Sequence, residues 1–429
     1  MSELAFIDVA MRAARPRAVG ALLRYFRDLD LAEEAFQEAC LSALKNWPKN
    51  GPPRDPAAWL IFVGRNAALD VVRRRKRQTD LPDEEAISDL DNAESALVDQ
   101  LDEADYRDDI LRLLFVCCHP ELPAVQQIAL ALRIVCGLSV KQIARAFLVT
   151  EAAMEQRITR AKARIAASDA QYEIPGAPER SQRLAAVASV IYLMFNEGYA
   201  ATGGEAQVRE ALCDEGVRLA RLLLRLFPGE PELMGLLALM LLQHARSPAR
   251  LRADGSIVLL EDQDRSLWKR EPIAEGLSLL DKAMRHRARG PYQVQAAIAA
   301  LHARAGHASE TDWTQIELLY RALEQLAPSP VVSLNRAVAV EKVSGPEVAL
   351  ALIEPLAEPL SSYFYFHGMR GALLQRVGRV AEARAAFDRA IGLANTAAEA
   401  AHIRMQLDKL QAASAPAAAP RAEATATTK

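Results

Sequence analysis

The chain has 429 residues, a formal net charge of −3 and a hydrophobic share of 51%. That length is too great for one compact core, and the apolar content suffices for several. A low aromatic share beside abundant Ala, Leu and Arg favours helices over sheets. The five cysteines (Cys40, Cys117, Cys118, Cys136, Cys213) follow no disulfide or metal-ligand spacing and read as reduced thiols. The first twenty residues lack the apolar core of a leader, and the longest apolar run, Leu233 to Leu242, is about half a membrane span. A cytoplasmic chain with no membrane partner is expected.

In chain order, residues 1–78 predict helices interrupted at Trp47-Pro48 and Gly51-Pro52-Pro53. The helix before Trp47 is expected to expose Glu33, Glu34, Gln37 and Glu38 beside Phe36 and Leu41. The next begins with Pro56 at its first position and ends in Arg73-Arg74-Arg75-Lys76-Arg77. Those cations suit both a helix C-terminus and a phosphate backbone. From Asp80 to Asp109 the charge reverses, with Arg107 the lone basic residue, so 79–105 reads as an acidic linker.

Residues 106–168 predict a second helical unit. Ser139-Val140-Lys141-Gln142 forms a capping box opening a short helix that turns Ile143, Ala144 and Phe147 inward. Thr150 suits the N-cap of the next helix, where Met154, Ile158, Ala161 and Ile165 recur at spacings of four, three and four as a buried stripe. Glu155, Gln156, Arg157, Arg160, Lys162 and Arg164 stand between them. This is a helix-turn-helix pattern with a largely basic outer face. Beyond Pro175-Gly176, residues 180–412 are helical by periodicity, with breaks at Pro228-Gly229, Gly290-Pro291, Pro328 and Gly345-Pro346. Gly371, Leu374, Gly378, Ala383, Phe387 and Ala390 alternate small and large residues as a tetratricopeptide unit does, with 335–353 a degenerate neighbour. The Ala/Pro/Thr-rich tail 413–429 reads as disordered.

The order of these pieces carries more than any one of them. Ala32 to Ala39, Trp47-Pro48, Pro56 to Leu60, Arg65 to Asp70 and the basic run together resemble sigma region two. The acidic linker and the helix ending Gln156-Arg157-Ile158-Thr159-Arg160-Ala161-Lys162 resemble the passage into sigma region four. With no domain between, the pair is similar to the extracytoplasmic-function group of sigma-70 factors. Tyr192 to Tyr199 and Asp254 to Trp268 resemble the subgroup fused to a tetratricopeptide-like extension.

The resemblance implies an all-α fold: a region-two bundle, a region-four helix-turn-helix bundle and a helical-repeat domain. It implies a non-catalytic subunit that brings RNA polymerase core to promoters. Glu34, Gln37, Glu38, Cys40 and Leu44 would meet the clamp helices of the largest subunit. Arg65, Asn66, Arg73 and Arg74 would lie at the −10 strand, with Trp59 packed inside the domain rather than stacked on a base. Glu155, Gln156, Arg157, Arg160 and Lys162 would face the −35 element; Glu155 departs from the basic or small residues usual there.

The extension carries no P-loop, dinucleotide fingerprint or nucleophile elbow, and no cofactor or metal is expected. Cys117-Cys118-His119-Pro120 lacks convergent metal-ligand spacing and reads as a buried turn. Asp254 to Asp264 has a calcium loop's acids, but the apolar Ile257-Val258-Leu259-Leu260 breaks the ligand pattern. Asp262, Gln263, Asp264, Arg265 and Trp268 form a polar cluster expected on a loop. It reads either as a lock on the sigma domains or as part of a pocket for an unidentified signal or protein. Two rival readings are a ligand-sensing conventional regulator and a repeat scaffold; the paired acidic helix and the Trp59–Arg77 block argue against both.

Overall fold

The computed structural model describes residues 3–51, 53–76, 103–147, 149–167, 177–200, 206–252, 256–394 and 396–414. Most of the expected acidic linker and terminal tail lie outside these residues. Among the described residues there is no strand, only helices and one isolated antiparallel bridge between Leu251 and Ile257. The backbone contacts divide the chain into two compact units, 1–228 and 229–429.

The first unit opens with α1 (Glu3–Phe26), α2 (Leu29–Asn50) and α3 (Pro56–Lys76), which pack on one another. Asp28 caps α2 by accepting from the Leu31 amide, and Asp55 does the same for Ala57 and Ala58 at the start of α3. The break expected at Trp47-Pro48 does not occur: α2 runs through Pro48 and stops at Gly51, whose φ of 78° ends it. Proline two residues from a helix end forfeits one amide bond, to the carbonyl of exposed Leu44, and little else. Next come α4 (Glu103–Cys117), α5 (Ala124–Ile134), α6 (Val140–Ala146) and α7 (Glu151–Ala167). The Ser139–Gln142 capping box is present, Thr150 accepts from the Ala153 amide, and Met154, Ile158, Ala161 and Ile165 are buried. Of the three residues expected to turn inward on α6, Ile143 and Ala144 are buried and Phe147 is half-buried.

Two further helices, α8 (Ala177–Ala200) and α9 (Ala206–Leu226), belong to this unit by their contacts. They pack on each other, α8 also on α4 and α5, and α9 on α6. The compact division therefore falls after α9 rather than at the Pro175-Gly176 turn.

The second unit begins with α10 (Pro231–His244), which is buried on nearly every side and is covered by α11 (Arg270–Arg285) and α12 (Pro291–Arg304). Its uniform apolar run is thus a core helix. No helix among the described residues is long and apolar enough to cross a membrane. Successive helices follow, each packing on the next: α13 (Trp313–Leu326), α14 (Pro330–Ser344), α15 (Pro346–Ile353), α16 (Phe364–Arg376), α17 (Val380–Leu393) and α18 (Ala397–Ser414). At Gly371 a Cβ would lie 2.5 Å from the Phe387 ring, so only glycine lets α16 and α17 close on that buried aromatic. Leu374, Ala383 and Ala390 complete the same packed surface.

Candidate functional site

One stripe of α2 (Ala32, Ala35, Phe36, Ala39, Ala43, Trp47) is buried, and Trp47 meets Trp59 of α3 edge-on at 5.4 Å. Trp59 is accordingly an interior residue. The other stripe presents Glu34, Gln37, Glu38, Leu41 and Leu44 to solvent. Leu41 and Leu44 are 52% and 47% exposed, so acids and amides flank an apolar ridge suited to an amphipathic partner helix. Cys40 sits half-buried at its edge; burial pushes its thiol up to about 11, against a weaker downward pull from Arg15. On α3, Arg65 and Asn66 are exposed, with the Arg65 guanidinium 4.6 Å over the Tyr25 ring. Arg73 and Arg74 fall within α3, but their side chains lie outside the described residues.

On α7, Glu155, Gln156 and Arg160 are exposed and Arg157 is half-buried. Lys162 stands apart from them. Its ammonium lies 2.5 Å from an Asp30 carboxylate oxygen and 2.9 Å from one of Glu33, both on α2. Burial works against this charge, yet the hydrogen bonds and charges of those two acids outweigh it and hold its pKa above the ordinary lysine value. This arrangement brings the helix-turn-helix against the acidic helix.

Glu33 corrects an expectation. It is not on the exposed face of α2 but 5% exposed, on the inner edge one turn before Phe36. A carboxylate there is held by three cations: Arg133 at 3.0 Å, Lys162 at 2.9 Å and Arg15 at 3.5 Å. Arg15 itself donates to the carbonyls of Ile134 and Arg133 at the end of α5 and lies 4.9 Å over the Phe36 ring. A Cβ at Gly137, where φ is 75°, would come within 2.9 Å of Arg15, so this glycine admits the side chain. A second buried acid, Asp109 of α4, takes Arg112 at 2.6 Å and Arg24 of α1 at 3.3 Å. Sequence reasoning missed Arg15, Arg133 and Asp109. For the arginines the available signal was a cation among apolar residues within a predicted helix, which does not name its partner, and Asp109 closed an acidic block that reads as solvated.

The Cys117-Cys118-His119 turn is buried as expected, with both thiols raised by burial. His119 accepts at Nδ1 from the Glu121 amide, and its carbonyl accepts from Gln127.

In the second unit, the segment Leu260 to Trp268 forms two short 3-10 turns before α11. Asp264 caps the second by accepting from the Ser266 amide, and the Ser266 hydroxyl first and this amide second lower its carboxyl pKa. Gln263 and Trp268 are buried, and Asp262 is exposed. Arg265 donates to the carbonyls of His302 and Ala305 at the end of α12, at 2.8 and 2.5 Å, and to the Thr311 hydroxyl at 3.1 Å. It satisfies a helix C-terminus within its own unit. Its guanidinium is 5.1 Å from the Trp268 ring centroid.

Comparison with known proteins agrees with this arrangement. The family described as Sigma-70 region 2 matches residues 10–78, and Sigma-70, region 4 matches residues 112–165. A family of unknown function, DUF6596, matches residues 183–284. The "Uncharacterized protein R00370" of Rhizobium meliloti (strain 1021) is 69% identical over 412 residues, covering 96% of this chain and 97% of that protein. No solved structure matches. Two sigma regions in order, with an exposed acidic-apolar helix face and a helix-turn-helix, define a non-catalytic specificity subunit that binds polymerase core and promoter DNA. The chain belongs to the sigma-70 family, as an extracytoplasmic-function-like sigma factor with a C-terminal extension.

Proposed function

We propose that this sigma factor meets the polymerase clamp helices through Glu34, Gln37, Glu38, Cys40 and Leu44. Arg65, Asn66, Arg73 and Arg74 engage the −10 strand, and Glu155, Gln156, Arg157, Arg160 and Lys162 the −35 element. Its C-terminal extension, a tetratricopeptide-like array, regulates that activity in cis. The observation that carries the proposal is the ion-pair network joining α2 to α5 and α7. Two promoter elements about 25 base pairs apart lie on the order of 80 Å from each other along a duplex. A form in which Lys162 bonds Asp30 and Glu33 cannot reach both, so promoter engagement requires this latch to open.

Polymerase docking and opening are coupled because Glu33 and Glu34 are adjacent on one helix. The extension has a route to the same equilibrium, since α8 and α9 pack on α4, α5 and α6. Near Cys136, two residues beyond α5, stand Glu215 and Arg218 of α9. Run-off transcription with core polymerase tests the reading, comparing the full chain with residues 1–228 and with Arg265→Ala. Transcripts from the full chain support the sigma role, and failure to bind core sinks it. Changed output from the truncated or Arg265→Ala protein, with DNA affinity retained, supports control in cis; unchanged output in both sinks that part.

A further inference from the structure

A cavity of about 360 Å³ lies in the second unit between the Leu259–Arg265 segment and helices α14 and α16, within the range of roughly 300–1,000 Å³ common to small-molecule sites. Its walls are mainly apolar, with Leu259, Trp313, Val338, Met369 and Leu373 among them. Arg265 and His302 also line it.

These two polar side chains are incompletely used. His302 is 8% exposed, and its Nδ1 is buried with no hydrogen-bond partner. The Nε of Arg265 is likewise buried and unpartnered. The other guanidinium nitrogens of Arg265 meet only two carbonyls and a hydroxyl, and no carboxylate lies within ion-pairing distance of it among the described residues. A second guanidinium, that of Arg246, lies 5.7 Å from the same Trp268 ring. Burial, then the charges of Arg246 and Arg265, push the His302 pKa down to about 4, so the imidazole is neutral near pH 7. A partly open, largely apolar chamber is thus lined by a guanidinium with no ion-pair partner, on which Glu310 acts only at longer range, by an N–H without an acceptor and by a neutral imidazole. Buried donors and charges of this kind are costly unless something pairs with them.

We infer that this chamber binds a small molecule with an apolar body and a single anionic head, a monocarboxylate of medium chain length. The hydrocarbon lies against Val338, Met369 and Leu373. Arg265 Nε and His302 Nδ1 are both covered; a turn of the two side chains on binding brings the Nε–H, and the Nδ1–H of the imidazole tautomer protonated there, to the carboxylate. A larger polar anion such as a nucleotide is disfavoured because the remaining walls offer apolar contact. The rim cations Lys342 and Arg376 are already paired with Glu261 and Glu341. Binding stands by itself; its effect on transcription rests on the cis-regulation proposed above.

The test is calorimetric titration of the full chain with sodium octanoate, with 1-octanol as the uncharged control. Expected is one octanoate per chain with a Kd below about 1 mM, and octanol weaker by about tenfold or more. Ala372→Trp, at an exposed position on the chamber wall, should abolish binding while the circular dichroism and melting temperature stay unchanged. Arg265→Lys keeps the charge but loses the planar fork and should weaken octanoate several-fold without altering octanol. No octanoate binding at about 10 mM, equal affinity for octanol, or full binding by a folded Ala372→Trp protein would each overturn the proposal. Octanoate added to run-off transcription then separates the two ideas. A response in the full chain that Ala372→Trp lacks supports both, whereas binding without a response keeps the site and counts against control in cis.

Discussion

Two charges in this molecule, buried Glu33 and half-buried Arg265, are handled in opposite ways. Glu33 in the first unit is surrounded by three cations drawn from three separate helices. Arg265 in the second unit is held by neutral carbonyls and a hydroxyl and has no carboxylate partner among the described residues. The first arrangement is a closed electrostatic unit, which holds two domains together and can be released only by supplying other partners. The second fixes backbone geometry while leaving net charge, and net charge inside an apolar chamber is what an anion recognises. The same energetic problem, an ion withdrawn wholly or partly from water, yields a latch in one place and a candidate ligand site in the other.

The sharpest way to break the comparison is at the closed unit. Glu33→Ala leaves three cations crowded without a counter-charge and should cost about 3–5 kcal/mol in urea unfolding of the first unit. A loss under about 1 kcal/mol would show that water already solvates the cluster. Next is the pH response of the second unit. His302 has a folded pKa of about 4, below its unfolded value, so the unfolded state binds the proton more readily. Its contribution is full above about pH 6.5 and is lost as pH falls toward 4, by roughly 3 kcal/mol in total. His302→Gln should remove that slope from the thermal unfolding of the second unit, and an unchanged slope would place the titration elsewhere.

Smaller effects sharpen the contrast. Arg265→Ala strips donors from His302, Ala305 and Thr311 and should lower stability by about 2–3 kcal/mol by chemical denaturation. Relief of the uncompensated charge should offset part of that loss, so a net gain would show the charge to dominate. Asp30→Asn is the mildest. Its side chain is 73% exposed, so losing the Lys162 pair should cost no more than about 1 kcal/mol and vanish in high salt. A larger or salt-independent cost would make Asp30, rather than Glu33, the centre of the latch.

The helices and their local signals were legible in the sequence because they depend on near neighbours. The Ser139–Gln142 box, the Met154-to-Ile165 stripe, the interior place of Trp59 and the small-residue contact of Gly371 with Phe387 all follow from spacing and side-chain size. So did the exposed row Glu34, Gln37, Glu38 and Leu44, because a polar stripe opposite an apolar one has one stable orientation. Long-range charge pairing was not legible. Whether Glu33 faces water or Arg133, one hundred positions away, depends on how two domains dock, and periodicity places Glu33 at the margin of the stripe where either outcome is allowed. For the same reason Lys162 reads as a basic-face residue in one dimension and becomes a partner of α2 in three. The compact division after α9, and the chamber formed where Leu259 to Arg265 folds back over α14 and α16, were also decided only by tertiary packing. Local sequence determines which side chains a helix can bury, but distant surfaces choose which charges meet, since the cost of burying an ion is settled by partners that spacing along one helix does not reveal.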